Sequence, residues 1–162
     1  IEEFDSSFST DCVWQMDQKI VGDEVSTTFR AIHLPRAIKV DPRRDNNWLE
    51  NWQNRDLLIA VEEDGELTGY LHMDVDRSRN VGRVEHLAVS RKRRRLGSGT
   101  ALIQEAKRWS RVRRMRALAV ETDTRNYPAI NFFQKSGFAF CGFNDSYHSN
   151  KDISVFFVCT LG

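Results

Sequence analysis

At residues 84–99 the chain reads VEHLAVSRKRRRLGSG, and this stretch predicts three successive structures. Its first six residues are mainly apolar or β-branched, which favours a β-strand. The next part is basic and ends in two glycines, Gly97 and Gly99, one residue apart. Residues 100–109, TALIQEAKRW, are rich in good helix formers. The sequence therefore predicts a strand, a basic glycine turn and a helix N-terminus, in that order.

This turn has the properties of a phosphate-binding site. The first turn of a helix carries backbone N–H groups without partners inside the helix, and the helix dipole adds partial positive charge there. Glycine has no Cβ, so a phosphate can approach those groups closely at Gly97 and Gly99. The preceding arginines add attraction and bidentate donors. The turn lacks the Lys-Ser/Thr pair of a P-loop and the third glycine of a dinucleotide-binding turn, so both motifs are disfavoured. The sequence therefore predicts a diphosphate site that belongs to neither of these two classes.

Two neighbouring segments connect this turn with a known family. Residues 94–99, RRLGSG, resemble the Arg/Gln-x-x-Gly-x-Gly/Ala element with which the GCN5-related N-acetyltransferases (the GNAT superfamily) hold the pyrophosphate of acetyl-CoA. Residues 126–138, NYPAINFFQKSGF, resemble the family's Asn-x-x-Ala-x-x-Phe/Leu-Tyr-x-x-x-Gly-Phe segment. When residues 118–122, LAVET, are also compared, the sequence most resembles the streptothricin acetyltransferase-like or RimI-like branch of the family. It covers about residues 57–161 and leaves the first third of the chain unassigned.

The resemblance implies an acetyl-CoA site along the strand and the turn. The backbone of residues 87–89 would bind the pantetheine as an added strand and polarise the thioester carbonyl, and residues 94–100 would hold the pyrophosphate. Asn126 resembles a residue that contacts one of these arms, although an asparagine at this place is equally suited to capping a helix. The predicted cofactor-binding residues are Leu87, Ala88, Val89, Arg94, Arg95, Leu96, Gly97, Ser98, Gly99, Thr100 and Asn126.

Two glutamates are candidate bases. Glu85 alternates out of phase with the apolar residues of its strand, a pattern that is also typical of a surface carboxylate. The resemblance implies that this strand position supplies a base that acts through water, and Glu121 resembles a carboxylate with the same role in protein N-terminal acetyltransferases. A carboxylate is useful there because an ammonium must lose a proton before it attacks a thioester. We prefer Glu85 slightly, and the residues alone do not separate the two.

Phe133 departs from the family pattern. The family often has Tyr there, which protonates the departing CoA thiolate, and Phe cannot donate a proton. This loss is expected to slow the reaction without abolishing it, because a thiolate is a good leaving group. Tyr127 and Tyr147 are candidate substitutes, although the spacing supports neither. His86 is expected to pack or hydrogen-bond on the sheet, and we assign it no role.

The composition is that of an ordinary globular domain. Of 162 residues, 40% are hydrophobic and 29% are charged. No apolar run approaches the ~18–20 residues that span a bilayer, and no signal peptide is visible, although the chain starts without Met. Three scattered cysteines, Cys12, Cys141 and Cys159, favour a reducing compartment, so we predict a cytoplasmic protein. The four histidines have no metal-ligand spacing, so no metal is predicted.

The net charge of +1 hides an asymmetry. Residues 91–116 contain eleven Lys or Arg and one acid, whereas the rest of the chain contains 13 bases and 22 acids. A concentrated basic block suits an anion, and an acidic remainder favours a cationic amine. RNA is an alternative partner of the basic run, but single-stranded RNA sites interleave several aromatics with basic residues, and here Trp109 alone is nearby and lies on the apolar stripe. Cofactor phosphate is therefore favoured, and the arginines at residues 111–116 are best explained as a solvated helix end.

The central part of the chain predicts an antiparallel meander of three strands, at residues 57–62, 69–75 and 83–89. The first turn contains Asp64-Gly65, where glycine tolerates the positive φ of a tight reversal.

Two helices are predicted to follow. The first, at residues 98–111, crosses over to a strand at residues 116–121, which should therefore lie parallel to the strand before the helix. The second has Pro128 in its first turn and ends at Gly137. A final antiparallel pair is predicted at residues 138–147 and 153–161.

The N-terminal third predicts less regular structure. Residues 1–11 are polar and predict a loose lead-in, whereas residues 13–16 and 25–34 have strand propensity. From Pro35 to Gln53 the sequence predicts a loop that leads into a short helix.

Together these patterns predict an α/β (α+β) fold: a mixed, mostly antiparallel GNAT-type sheet with helices on both faces and a V-shaped splay between the two central parallel strands. We predict one domain over residues 1–162, with residues 1–56 on the acceptor side and residues 57–161 as the acetyl-CoA-binding core. The predicted function is direct acetyl transfer from acetyl-CoA to a primary amine, and a streptothricin-like small molecule is favoured. The alternatives are a protein N-terminal acetyltransferase and a non-catalytic CoA-binding or nucleic-acid-binding module. We expect no nucleic-acid or membrane partner, and a monomer or homodimer.

Overall fold

The computed structural model of the protein describes residues 5–41, 55–147 and 152–162. Within these ranges the chain forms eight strands, two α-helices and a short 3-10 helix at Arg91–Arg93. The strands and α-helices are β1 (Phe8–Val21), β2 (Glu24–Val40), β3 (Leu57–Glu63), β4 (Glu66–Asp76), β5 (Val81–Val89), α1 (Ser98–Val112), β6 (Ala117–Asp123), α2 (Tyr127–Lys135), β7 (Ala139–Asn144) and β8 (Ser154–Thr160).

The main sheet has six strands in the order β3-β4-β5-β6-β8-β7. Only β5 and β6 pair in parallel, and the other four pairs are antiparallel. The predicted meander, the parallel crossover through α1 and the final antiparallel pair are therefore confirmed. The turn at Asp64 and Gly65 also has the predicted geometry, because both residues have positive φ angles.

The two described helices pack side by side on one face of this sheet. Leu102 of α1 and Ile130 of α2 are fully buried in the same core, together with Leu118 of β6. Lys107 of α1 joins the helices by donating from Nζ to the carbonyl of Ser136, 2.5 Å away, at the end of α2. We call this the helix face of the sheet. A helix on the opposite face stays a prediction.

The ends of α2 form as the sequence predicts. The side chain of Asn126 caps its N-terminus, and Pro128 occupies its first turn. Gly137 follows the last turn with a φ of +85°, a left-handed conformation that favours glycine.

The long hairpin of β1 and β2 forms a second, two-stranded sheet. Both strands extend further than predicted: β1 begins at Phe8, where a lead-in was expected, and β2 runs through Pro35 to Val40. Proline is tolerated because the pairing is irregular there, jumping from Thr10 with Ile38 to Cys12 with His33, so that its missing N–H breaks no regular ladder. The helix predicted between Pro35 and Gln53 falls on residues 42–54, outside those described.

An aromatic cluster fastens the hairpin to the main sheet. The ring of Trp14 in β1 lies 5.9 Å from that of Phe157 in β8 and 5.9 Å from that of Phe140 in β7, between centroids. The backbone N–H of Trp14 also donates to the carbonyl of Thr124, at 2.8 Å. The hairpin therefore reaches the loop after β6, at the end of the sheet where β5 and β6 part.

Candidate active site

The strands β5 and β6 part directly before the two candidate carboxylates. Their parallel pairing ends at Val84 with Val120, and in the described part of the chain it does not resume. Glu85 and Glu121 are the next residues on the two strands. Side chains alternate along a strand, and both valines belong to the core on the helix face, so the two carboxylates lie on the opposite face. We call this the carboxylate face.

Glu85 occupies a β-bulge. On β4, Met73 pairs with Val84 and the preceding residue, His72, pairs with His86, so Glu85 is the extra residue of the bulge. Val84 and Leu87 both pack toward the helix-face core. The two residues between them, Glu85 and His86, are therefore both directed to the carboxylate face.

An ion pair with Arg83 fixes the carboxylate of Glu85. The guanidinium donates to Oε1 of Glu85 from Nε at 2.9 Å and from Nη2 at 2.7 Å. This hydrogen bond, followed by the negative charge of Glu85, raises the pKa of Arg83. The side chain of Glu85 is 32% exposed and both contacts use Oε1, so Oε2 is available to a water molecule or an ammonium group.

A buried serine holds Glu121. The hydroxyl of Ser154 in β8 is fully buried and donates to Oε1 of Glu121 at 2.5 Å. Directly opposite Glu121 on β8 lies Phe156, whose ring meets the edge of Tyr147 with centroids 5.5 Å apart. The structure thus brings Tyr147 to the carboxylate face, against the residue that pairs with Glu121.

The edge of β5 beyond the bulge is available to an extended ligand. Leu87, Ala88 and Val89 are half-buried and pair with β4 on one side, whereas the described part of β6 pairs only as far as Val84. Backbone N–H and C=O groups along such an edge can bind a chain as an added strand. This is the arrangement that the predicted pantetheine site requires.

The phosphate turn has open backbone groups. Gly97 precedes α1 with a φ of +98°, and a Cβ added to it would meet nothing within 4 Å. No side chain caps the first turn of α1, and no acidic residue lies in it. The first N–H to bond within the helix is that of Ala101, to Gly97, so the N–H groups of Ser98, Gly99 and Thr100 have no acceptor in the helix.

Gly99 has a packing role beside the predicted one. A Cβ at this position would lie 3.4 Å from the ring of Phe132 in α2 and 3.6 Å from Cγ2 of Val89. The absence of a side chain therefore lets the start of α1 approach both α2 and the end of β5.

The basic residues before the turn are not equivalent. Arg94 donates from Nε to the carbonyl of Val89 at 3.0 Å and from Nη1 to the carbonyl of Ser7 at 2.7 Å, and burial lowers its pKa. Arg93 forms an ion pair with Glu63, at 3.2 Å. Arg94 is therefore engaged with the protein through Nε and Nη1, and its role as a phosphate ligand stays a prediction. The basic side chains that stay exposed are Arg91, Lys92 and Arg95, the last being among the predicted residues, and Leu96 beside them is also exposed.

The remaining predicted residues lie in α2. Asn126 accepts a hydrogen bond from the N–H of Ala129 through Oδ1, at 3.2 Å, which supports the capping interpretation and leaves its amide nitrogen for other contacts. Phe133 is buried, with its ring 5.5 Å from that of Phe132 and 5.7 Å from that of Phe138.

Sequence reasoning missed a group of polar residues behind the bulge. His72 is 1% exposed, and its ring stacks on that of His86 and contacts Asp74, which is two residues further along β4. Asp74 in turn accepts a hydrogen bond from Arg55. The available signal was a histidine and an aspartate two residues apart in an otherwise apolar strand. Without the register of β4 and β5, nothing linked them to Glu85.

Among residues 5–41, 55–147 and 152–162, no three His, Cys, Asp or Glu side chains are grouped to hold a metal ion. Neither described helix combines the length and the apolar character of a membrane span.

Comparison with known proteins identifies the family. The model of the acetyltransferase (GNAT) family matches residues 24–138. A streptothricin acetyltransferase of Streptomyces lavendulae is 29% identical over 153 residues, which cover 90% of this chain and 78% of that protein.

Solved structures share the fold. The crystal structure of a nourseothricin acetyltransferase has a TM-score of 0.81 at 22% identity and covers 99% of this chain and 90% of its own. A proposed streptothricin acetyltransferase of Bacillus anthracis, solved in complex with acetyl coenzyme A, has a TM-score of 0.75 at 19% identity, with 98% and 90% of the two chains covered. Over most of its length, therefore, the chain belongs to the GNAT family of acetyltransferases.

Proposed function

We propose that the protein transfers the acetyl group of acetyl-CoA to a primary amine of a small molecule, with a streptothricin-like antibiotic as the favoured acceptor. The observation that carries the proposal is the arrangement along β5. A turn suited to a diphosphate lies at one end of its free edge, and Glu85 and Glu121 lie at the other, in the first positions after the parallel pairing ends. The similarity to streptothricin and nourseothricin acetyltransferases supports this acceptor class.

The coenzyme would lie along the free edge of β5. Its pantetheine arm would bind the backbone of residues 87–89 and its pyrophosphate the N–H groups at residues 97–100, with Arg95 as the nearest exposed predicted arginine. The open space at Gly97 and the uncapped first turn of α1 fit a negatively charged group. In this arrangement Arg94 keeps β5 and the N-terminal segment in place, and Asn126 orients the start of α2.

The amine would approach from the carboxylate face. Its ammonium form is attracted by the carboxylates, and it loses a proton to Glu85, directly or through water. The free amine then attacks the thioester carbonyl carbon, so that a C–N bond forms and the C–S bond breaks. The nitrogen loses a second proton as the amide forms, and this proton balances the one that the thiolate takes up. The coenzyme leaves as a thiolate. Phe133 supplies no proton to it, and Tyr147 is the candidate donor that the fold brings to this face.

The acceptor would be selected by residues 1–56. The hydrogen bond from Trp14 to Thr124, in the loop after β6, brings the hairpin of β1 and β2 near the open end of the splay and supports this assignment. Three further points stay part of the proposal. They are the division into residues 1–56 on the acceptor side and residues 57–161 on the coenzyme side, the cytoplasmic location, and the monomeric or homodimeric state.

Coenzyme binding is tested by thermal unfolding with and without acetyl-CoA. A ligand that binds only the folded state stabilises it, by about 2.7 kcal/mol at 100 times its dissociation constant. We expect an upward shift in Tm of this origin with acetyl-CoA and none with RNA. Calorimetry that detects no coenzyme binding alongside tight RNA binding would favour a nucleic-acid-binding module instead.

The acceptor is tested by the release of free thiol from acetyl-CoA in the presence of streptothricins, other small amines and peptides with free N-termini. Turnover of streptothricins without turnover of peptides is the expected result. Turnover of peptides alone would identify a protein N-terminal acetyltransferase, and coenzyme binding without any turnover would indicate a non-catalytic module.

A further inference from the structure

A pair of histidines braces the bulge that carries Glu85. His72 and His86 lie directly opposite each other on β4 and β5. Their rings are nearly parallel, with an interplanar angle of 19° and centroids 5.7 Å apart. His86 is the residue after Glu85, so the stack is formed at the first regular pair beyond the bulge.

The ring of His72 is held in place by a hydrogen bond to Asp74, which is itself bound by Arg55. His72 is 1% exposed, and its Nε2 lies 3.2 Å from Oδ1 of Asp74. A carboxylate only accepts hydrogen bonds, so Nε2 of His72 is the donor. The other oxygen of Asp74 accepts from Nη1 of Arg55 at 2.8 Å. A chain of polar contacts thus extends from the segment before β3, through β4, to the ring of His86.

Glu85 lies where its strand is least restrained. On the β4 side the bulge interrupts the ladder between Val84 and His86, and on the β6 side the pairing has just ended at Val84. The backbone at Glu85 is therefore held by the two residues that flank it, whereas the carboxylate at the end of the side chain is held by its ion pair with Arg83. Val84 is buried in the core, and His86 is fixed by its stack on His72.

From this geometry we propose that His86 is a positioning residue for Glu85: its ring, stacked on the buried His72, keeps the bulge in the conformation that directs the carboxylate toward the amine. The inference rests on the proposed function, since it assigns a support to the group that takes the proton. The stack on His72 requires a flat ring at residue 86.

The test compares His86→Ala with His86→Phe, each in the parent and in a Glu85→Gln background. We expect His86→Ala to lower kcat by about 10- to 100-fold, the size of effect that a misplaced catalytic group produces, with little change in the affinity for acetyl-CoA. His86→Phe keeps a flat ring and should restore most of the activity. In the Glu85→Gln background, His86→Ala should cost almost nothing further, because there is no carboxylate left to position.

Melting temperature and coenzyme affinity are measured for every variant, and His86→Asn, which removes the ring but keeps a polar side chain, replaces His86→Ala if that variant does not fold. Equal losses from His86→Ala in both backgrounds would overturn the positioning role while leaving the proposed function intact. Failure of His86→Phe to restore activity would also overturn it. If Glu85→Gln alone is as active as the parent, both the assigned base and its proposed support are wrong.

Discussion

At the scale of single residues, Glu85 and Glu121 differ in what holds them. Glu85 is paired with the exposed guanidinium of Arg83 through Oε1. Glu121 accepts a hydrogen bond from the buried hydroxyl of Ser154. Both carboxylates are exposed, and the hydrogen bonds described above use Oε1 of each, so these contacts favour neither glutamate as the base. The slight preference for Glu85 stays a prediction from the sequence.

We therefore expect Glu85→Gln to lower turnover more than Glu121→Gln. A general base contributes ~10²–10⁴-fold, so the loss at Glu85 should lie in this range at neutral pH, while the affinity for acetyl-CoA is unchanged. Activity should recover in part at high pH, where the amine substrate is already neutral. Steady-state kinetics as a function of pH, together with calorimetric titration of the coenzyme, measure both effects.

Glu105→Gln is the matched control for these variants. Glu105 is also paired with an arginine, Arg108, through two hydrogen bonds, but it lies on the outer surface of α1. Its replacement should leave turnover unchanged. Small and equal losses at Glu85 and Glu121 would mean that another group takes the proton, and a loss that does not vary with pH would assign Glu85 to substrate binding instead.

At the scale of elements, the turn before α1 combines a conformational and an electrostatic requirement. Gly97 has a left-handed backbone, and the uncapped helix start behind it favours negative ligands. A side chain with a negative charge at this position violates both requirements.

We expect Gly97→Asp to abolish coenzyme binding while the protein still folds. Gly22→Asp separates the two effects, because Gly22 also has a positive φ, +59°, and open space around it, but lies in the turn between β1 and β2. Each substitution should cost about 1–3 kcal/mol in backbone strain, and only Gly97→Asp should lose affinity for acetyl-CoA in a calorimetric titration. If the Gly97→Asp protein binds acetyl-CoA with the affinity of the parent, the phosphate site must lie elsewhere in the protein.

The sequence predicts elements well where local patterns determine them. The meander, α1 and β6 have alternating or helical periodicity and glycine turns that are sufficient by themselves. The limits of β1 and β2 depend instead on long-range pairing, and the irregular register that accommodates Pro35 leaves no local signal. The same holds in the candidate site: the family motif predicts Arg94 as a phosphate ligand, whereas its contacts with Val89 and Ser7 arise from long-range packing that the motif does not reveal.

At the scale of the whole molecule, Trp14 connects the hairpin with the main sheet. Its ring contacts those of Phe29 in the hairpin and of Phe157 in the sheet. We expect Trp14→Ala to lower the free energy of unfolding by about 3 kcal/mol, the lower end of the range for removing a large aromatic side chain, because Trp14 is only partly buried.

Urea denaturation measures this effect, with Ile20→Ala as the control on the same strand. Ile20 is 70% exposed, so its replacement should change stability by no more than about 0.5 kcal/mol. Equal stability of the Trp14→Ala protein and the parent would mean that the hairpin is not coupled to the main sheet.

The parting of β5 and β6 also bears on aggregation. An unpaired strand edge ordinarily invites another chain to add to the sheet, and proteins protect such edges with charges, bulges or covering segments. Here the unpaired edge of β5 lies in the interior of a six-stranded sheet, with a bulge at its start and β6 alongside. The gap between β5 and β6 closes at Val84, where the two strands begin to pair. A thin, flexible ligand fits such a gap more readily than another β-strand, whose side chains project from both faces. The edge of β5 that we propose for the coenzyme is therefore less open to another copy of the chain than an edge strand at the end of the sheet would be.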